Sequence, residues 1–170
     1  MTSQQDSPLV PEHVEQLHTG IVGEWFLDRQ LIVYRLTQVS NNIVTAWSNV
    51  VIEMLENWPK ERPYLAHHDL SAVGVSLQYA TLVSFDVMNI GITPTGRQTA
   101  EEIFNRNPEF RARVAIGFNL SVSGQVSQVV MDRIRSRHPS IQYKTFFSRD
   151  RSLEWLVESL PGAESAADDS

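Results

Sequence analysis

Residues 30–69, QLIVYRLTQVSNNIVTAWSNVVIEMLENWPKERPYLAHHD, hold a strand, a helix and a second strand in succession, and this order decides the fold class. The opening run is rich in β-branched and aromatic residues, which favour strands. Over residues 43–58 large apolar residues recur at steps of three and four, the spacing of one helix face. A short strand over residues 64–68 follows. Two strands joined by a helix are predicted to lie parallel.

The residues around this unit indicate its boundaries. The helix is predicted to begin at a Ser40 or Asn41 cap and to end before Pro59. Upstream, the apolar run EWFLD at residues 24–28 is separated from QLIVYRLT by polar residues, which predicts a β-hairpin. Residues 11–22 are expected to form a short helix.

Further strands and helices are predicted downstream. Ala72–Ile92 mixes strand-like and helical spacing and is left unassigned, with an added strand as one alternative. The stretch TPTGRQTAEEIF at residues 93–104 predicts a helix with Ala100, Ile103 and Phe104 inward, and RARVAIGF at residues 111–118 predicts a buried strand.

The last third of the chain continues the alternation. Apolar residues from Val126 to Ile134 predict a third helix, and IQYKTFF at residues 141–147 predicts a strand. A final helix carries apolar residues from Leu153 to Leu160 and is capped by Ser148 or Asp150. The sum predicts an α/β fold: a mostly parallel, roughly five-stranded sheet with an N-terminal hairpin and four helices.

Composition limits the class of protein. The 170 residues suit a single domain, predicted over residues 11–160, with a flexible tail over residues 1–10 and a disordered acidic tail over residues 161–170. The chain has no cysteine and no apolar run long enough for a membrane span, which predicts a cytoplasmic protein. The net charge of −6 disfavours nucleic acid as a partner.

The order of elements resembles the anti-sigma-factor-antagonist (STAS) domain and the related SpoIIAA-like proteins, over about residues 24–160. Three stretches carry the resemblance: the strand that runs into HDLSAV, the strand RARVAIGF after a helix, and FFSRDRSLEWL at the close. The resemblance implies a small binding or regulatory module, in some members phosphorylated on Ser or Thr at a helix start. SpoIIAA-like relatives are suspected of binding apolar or lipid-like ligands.

Thr95 is the nearest counterpart of that phosphorylated hydroxyl. With Gln98 it is predicted to form a T-x-x-Q capping box, which alone would explain the residue. The alternative is a phosphate on Thr95, or an anion bound beside Gly96 and Arg97, because the amides of a helix N-terminus favour negative charge.

The stretch HHD ends a predicted strand, where ligands of open α/β sheets tend to bind. His67 and His68 are expected to point to opposite faces of the sheet, one into the core and one near the loop, so that they do not share a metal. No metal site and no cofactor are predicted. His68 and Asp69 remain candidate ligand-binding residues.

The loop SVSGQVSQ adds Ser123 as a candidate for ligand or anion binding. This loop, the HHD stretch and the turn at Thr95 are all predicted to follow strands, so they are expected to meet at the carboxyl edge of the sheet. Core packing is the default for the four tryptophans, with an apolar ligand cavity or a self-association face as alternatives.

These features predict a non-catalytic regulatory or protein-interaction module of STAS-like type, with a protein partner or a homodimer. The alternative is a binding protein or sensor for a small apolar or anionic ligand at the carboxyl edge. An enzyme ranks last, because no nucleophile and base can be placed together from spacing.

Overall fold

The computed structural model describes residues 9–79, 93–121, 125 and 138–160. Several predicted features lie outside the described residues: residues 1–8 of the predicted tail 1–10, the predicted tail 161–170, the predicted helix over residues 126–134, Ser123, and residues 80–92 of the unassigned stretch.

Six strands form one mixed sheet in chain order. They are β1 (His13–His18), β2 (Ile21–Phe26), β3 (Leu31–Leu36), β4 (Tyr64–Asp69), β5 (Ala112–Gly117) and β6 (Ile141–Phe146). The first three strands pair antiparallel, and β3 to β6 pair parallel. The α/β class, the hairpin and the parallel part are therefore confirmed.

The helix predicted for residues 11–22 is wrong, and with it the count of five strands. His13–His18 is a strand that pairs with β2 across a turn at Thr19 and Gly20. Gly20 has φ +81, a left-handed conformation that glycine adopts without steric cost. The Thr-Gly pair between two strand-length runs was the turn signal that the prediction overlooked.

Three helices have both ends within the described ranges: α1 (Asn41–Asn57), α2 (Pro94–Arg106) and α3 (Arg149–Val157). Residues 75–79 are also helical. Ser40 caps α1 by accepting the Ile43 amide at 3.3 Å, and Ser148 caps α3, so the structure selects the serine from each predicted pair of caps.

The helices lie on two faces of the sheet. α1 and α2 connect successive parallel strands, and crossovers of one hand place such helices on the same face. That face holds the main core, which includes Ile43 and Trp47 of α1 and Ile103 and Phe104 of α2. No strand follows α3 in the described chain, and α3 packs on the other face.

Candidate functional site

The carboxyl end of β4 places three consecutive polar residues inside the protein. His67, His68 and Asp69 are all buried. Because successive residues of a strand point to opposite faces, His67 and Asp69 lie on the α3 face and His68 lies on the face of the main core. The predicted opposite orientation of the two histidines is confirmed. The prediction that one of them lies near the loop is wrong, because both are buried.

His67 is held by the first turns of α3. The Ser152 hydroxyl donates to the Arg149 carbonyl at 2.7 Å, so it accepts from His67 Nδ1 at 3.0 Å. The other ring nitrogen, Nε2, has no hydrogen-bond partner in the part of the chain that the structure describes. Burial lowers the pKa of His67, although the nearby Asp69 carboxylate acts in the opposite direction.

Beside His67, a charge network joins three elements. Glu24 on β2 accepts from Arg35 on β3 at 2.7 Å and from Arg149 at the start of α3. Arg149 also lies 3.8 Å from the Asp69 carboxylate. Burial would raise the pKa of Glu24, but the hydrogen bonds and charges of the two arginines outweigh it and lower that pKa. The network is a paired arrangement of two carboxylates and two guanidinium groups.

On the opposite face, His68 belongs to an aromatic cluster. Its Nδ1 accepts from the Trp47 indole at 2.9 Å, and its ring stacks on Tyr34 at 5.0 Å. Tyr34 in turn shares a 2.9 Å hydrogen bond with the hydroxyl of Tyr64. Burial lowers the pKa of His68 to about 3 and raises the pKa of both tyrosines. These groups are therefore neutral members of the core.

The start of α2 differs from the prediction. The helix is capped by Thr93, whose hydroxyl accepts the Gly96 amide at 3.1 Å, so the capping box at Thr95 is wrong. The physical reason is Pro94, which favours the first helical position and places the cap one residue before it. Thr95 is exposed in the first turn, Gly96 is buried and Arg97 is half-buried.

Thr93 also ties α2 to α1. Its hydroxyl lies 3.1 Å from that of Ser48, which in addition accepts the Thr93 amide at 3.2 Å. Ser48 follows Trp47, the partner of His68. The start of α2 therefore lies on the face of the main core, near the carboxyl end of β4. The Gly96 amide donates to the Thr93 hydroxyl and the Thr95 carbonyl accepts from the Thr99 hydroxyl, so both bonds lie within α2 and its cap.

The two segments that follow β4 and β5 expose apolar side chains at the carboxyl edge. Val73 and Leu77 follow β4 and are 101% and 60% exposed, and Leu120 follows β5 and is 78% exposed. The Ser76 hydroxyl joins the two segments, because it donates to the Leu70 carbonyl at 2.8 Å and accepts the Asn119 amide at 3.4 Å. The edge thus presents a small apolar surface.

Of the predicted site residues within the described ranges, the structure brings Asp69 into the charge network. Sequence reasoning missed Glu24, Arg149 and Ser152. A charged residue inside an apolar strand, as in EWF, and the arginine next to a Ser148 cap were the available signals. Nothing local in the sequence indicates that Glu24 and Arg149, which are 125 positions apart, form a pair.

The described ranges contain no group of three or more residues suited to hold a metal ion. None of their helices is long and apolar enough to cross a bilayer. Comparison with protein-family models, with curated proteins and with solved structures finds no significant match for this chain. The resemblance to STAS and SpoIIAA-like domains therefore stays a prediction.

Proposed function

We propose that this chain is a non-catalytic regulatory module of STAS-like type that acts by binding the apolar surface of another protein. The observation that carries the proposal is the exposed apolar surface of Val73, Leu77 and Leu120 at the carboxyl edge. A partner that covers these three apolar side chains would be held by about 25 cal/mol for each Å² of apolar area buried.

The placement of the polar groups supports a non-catalytic role. Three described side chains that are capable of acid, base or nucleophilic chemistry, those of His67, His68 and Ser152, are buried. A general base must come within hydrogen-bond reach of the proton that it removes. The hydroxyl and the Nδ1 atoms of these groups are engaged within the protein, in bonds that support the fold.

The test compares the double variant Val73→Asp/Leu120→Asp with a control, Val14→Asp. The control changes an exposed valine on β1, away from the carboxyl-edge surface. Each chain is used to capture proteins from the cells in which it occurs, and the captured proteins are cross-linked and mapped. We expect a protein that cross-links near residues 71–77 and 118–121, is retained by the control and is lost with the double variant. A partner retained by both variants, or lost with both, would contradict this surface.

Self-association is a distinct outcome of the same test. Analytical ultracentrifugation of the purified chain measures it directly. A dimer that the double variant abolishes and Val14→Asp preserves would identify the partner as a second copy.

A second candidate function is the binding of a small anion at the same edge. It is favoured by Arg35 and Arg149, whose side chains are 39% and 34% exposed while they hold Glu24 between them. Thermal unfolding in phosphate and in chloride at matched ionic strength tests it. A higher unfolding temperature in phosphate for the wild type, absent in Arg149→Gln, would support anion binding, and equal temperatures would exclude it.

A further inference from the structure

The helix α3 packs on the sheet through an apolar cluster of its own. Leu153 and Leu156 of α3 are buried against Phe26, Leu31, Val33, Leu65 and Ala115 of the sheet. The main core on the other face includes no buried residue of α3. Separation of α3 would therefore leave the packing of α1 and α2 against the sheet unchanged.

Polar contacts add to the attachment of α3. At its first turns, Ser152 bonds to His67, and Arg149 pairs with Glu24 and lies 3.8 Å from Asp69. These bonds position the helix. Arg149 is one of two arginines paired with Glu24, so Glu24 keeps Arg35 as a partner when α3 leaves the sheet.

The other end of α3 is attached in the same way. Arg113 on β5 donates to the Trp155 carbonyl at 2.7 Å and lies 4.0 Å from the Glu158 carboxylate. Its guanidinium group also covers the Trp155 ring, with Arg113 Cζ 5.1 Å from the ring centre. The Arg113–Glu158 pair is open to solvent on the glutamate side, so dissolved salt screens it.

Two properties of the helix favour opening as one unit. α3 has nine residues, fewer than a helix needs to persist alone in water, so its turns form and are lost together when it leaves the sheet. Among the described residues, the apolar cluster beneath α3 is smaller than the main core, so opening of α3 exposes less apolar surface than global unfolding and has the lower free energy.

We propose that α3 is a reversible lid, which opens as a unit and uncovers the apolar strip Phe26, Leu31, Val33 and Leu65 while the sheet and the helices of the other face stay folded. The inference does not depend on the function proposed above. The α3 face would then hold a second, concealed apolar surface, and its exposure would increase with salt concentration.

The absence of cysteine from the chain allows a direct test. Ala115 and Ala66 are both fully buried, Ala115 beneath α3 and Ala66 on the face of the main core. A thiol reagent applied to Ala115→Cys and Ala66→Cys under native conditions reports the opening of each face. We expect labelling about tenfold or more faster at Ala115→Cys, and faster still when salt rises from about 0.05 to about 0.5 M.

Equal labelling rates in the two variants, independent of salt, would overturn the proposal. Hydrogen exchange of the unaltered chain gives a second measurement that needs no cysteine. The amides of residues 149–158 should exchange about tenfold or more faster than those of β4, because opening of α3 has the lower free energy. Exchange of both segments at one rate would also overturn the proposal.

The matched variants are Arg149→Gln and Arg151→Gln, which remove the same charge from the same helix. Arg149 holds Glu24, whereas Arg151 is exposed. Arg149→Gln should accelerate exchange in α3 and leave β4 unchanged, and Arg151→Gln should alter neither. Faster exchange in both segments of Arg149→Gln would mean that α3 is part of the global unfolding unit, which contradicts the lid.

Discussion

His67 and His68 are neighbours in the chain, yet their Nδ1 atoms have opposite roles. His67 Nδ1 donates to the Ser152 hydroxyl at 3.0 Å, and His68 Nδ1 accepts from the Trp47 indole at 2.9 Å. The partners therefore select a different neutral tautomer for each ring. Protonation of His68 at Nδ1 would remove its acceptor, and protonation of His67 would place a charge below the surface.

The first prediction concerns pH. The folded-state pKa of each histidine is lowered by burial, to about 3 for His68, so the unfolded chain binds these protons at higher pH than the folded chain does. Their contribution to stability is complete above the unfolded value of about 6.5 and is lost as the pH falls toward the folded pKa. The free energy of unfolding, measured with urea, should fall by about 1.4 kcal/mol per pH unit for each histidine between about pH 6 and 5.

His68→Asn isolates one of the two protons. The asparagine amide oxygen can accept the Trp47 bond but does not titrate in this range. The slope of unfolding free energy against pH should decrease by about one proton, or about 1.4 kcal/mol per pH unit. A slope equal to that of the wild type would show that His68 is not buried as a neutral ring.

The second prediction concerns the contact between Gly117 and His67. A Cβ on Gly117 would lie 2.7 Å from His67 Cε1 and 3.0 Å from Nε2. Because the buried imidazole has little room to move, Gly117→Ala should lower the free energy of unfolding by about 1–3 kcal/mol. The same substitution in a His67→Ala background should cost less, since the ring is gone. An equal cost in both backgrounds would place the clash elsewhere.

The third prediction separates the two threonines at the start of α2. Thr93→Ala removes the cap and the bond to Ser48, and should lower the free energy of unfolding by about 1–2 kcal/mol. Thr95→Ala changes an exposed side chain and should stay within about 0.5 kcal/mol of the wild type. The reverse order, measured by urea unfolding, would restore Thr95 as the cap.

The fourth prediction concerns the turn between β2 and β3. Leu27, Asp28 and Arg29 all have positive φ, between 52 and 60, which is unfavourable for residues with a Cβ. Asp28 is exposed, so Asp28→Gly should raise the free energy of unfolding by about 0.5–1 kcal/mol through relief of this strain. Asp28→Ala, which keeps a Cβ, should not raise it. A stabilising alanine would point to the lost charge as the cause.

The α/β class, the parallel strands and the caps at Ser40 and Ser148 follow from local information. Apolar spacing and cap chemistry act over a few residues, so the order of residues in the sequence is enough to predict these features. β1 was missed because its exposed edge position provides little apolar alternation: only Val14 and Leu17 among its six residues are aliphatic.

The chain by itself determined that a strand ending in His67, His68 and Asp69 sends its side chains alternately to the two faces, because alternation is a property of the extended backbone. Only the tertiary structure decided that Glu24, Asp69 and Arg149 meet, and that Trp47 rather than the loop holds His68. Those contacts join residues far apart in the chain, and their geometry depends on which face of the sheet each helix covers.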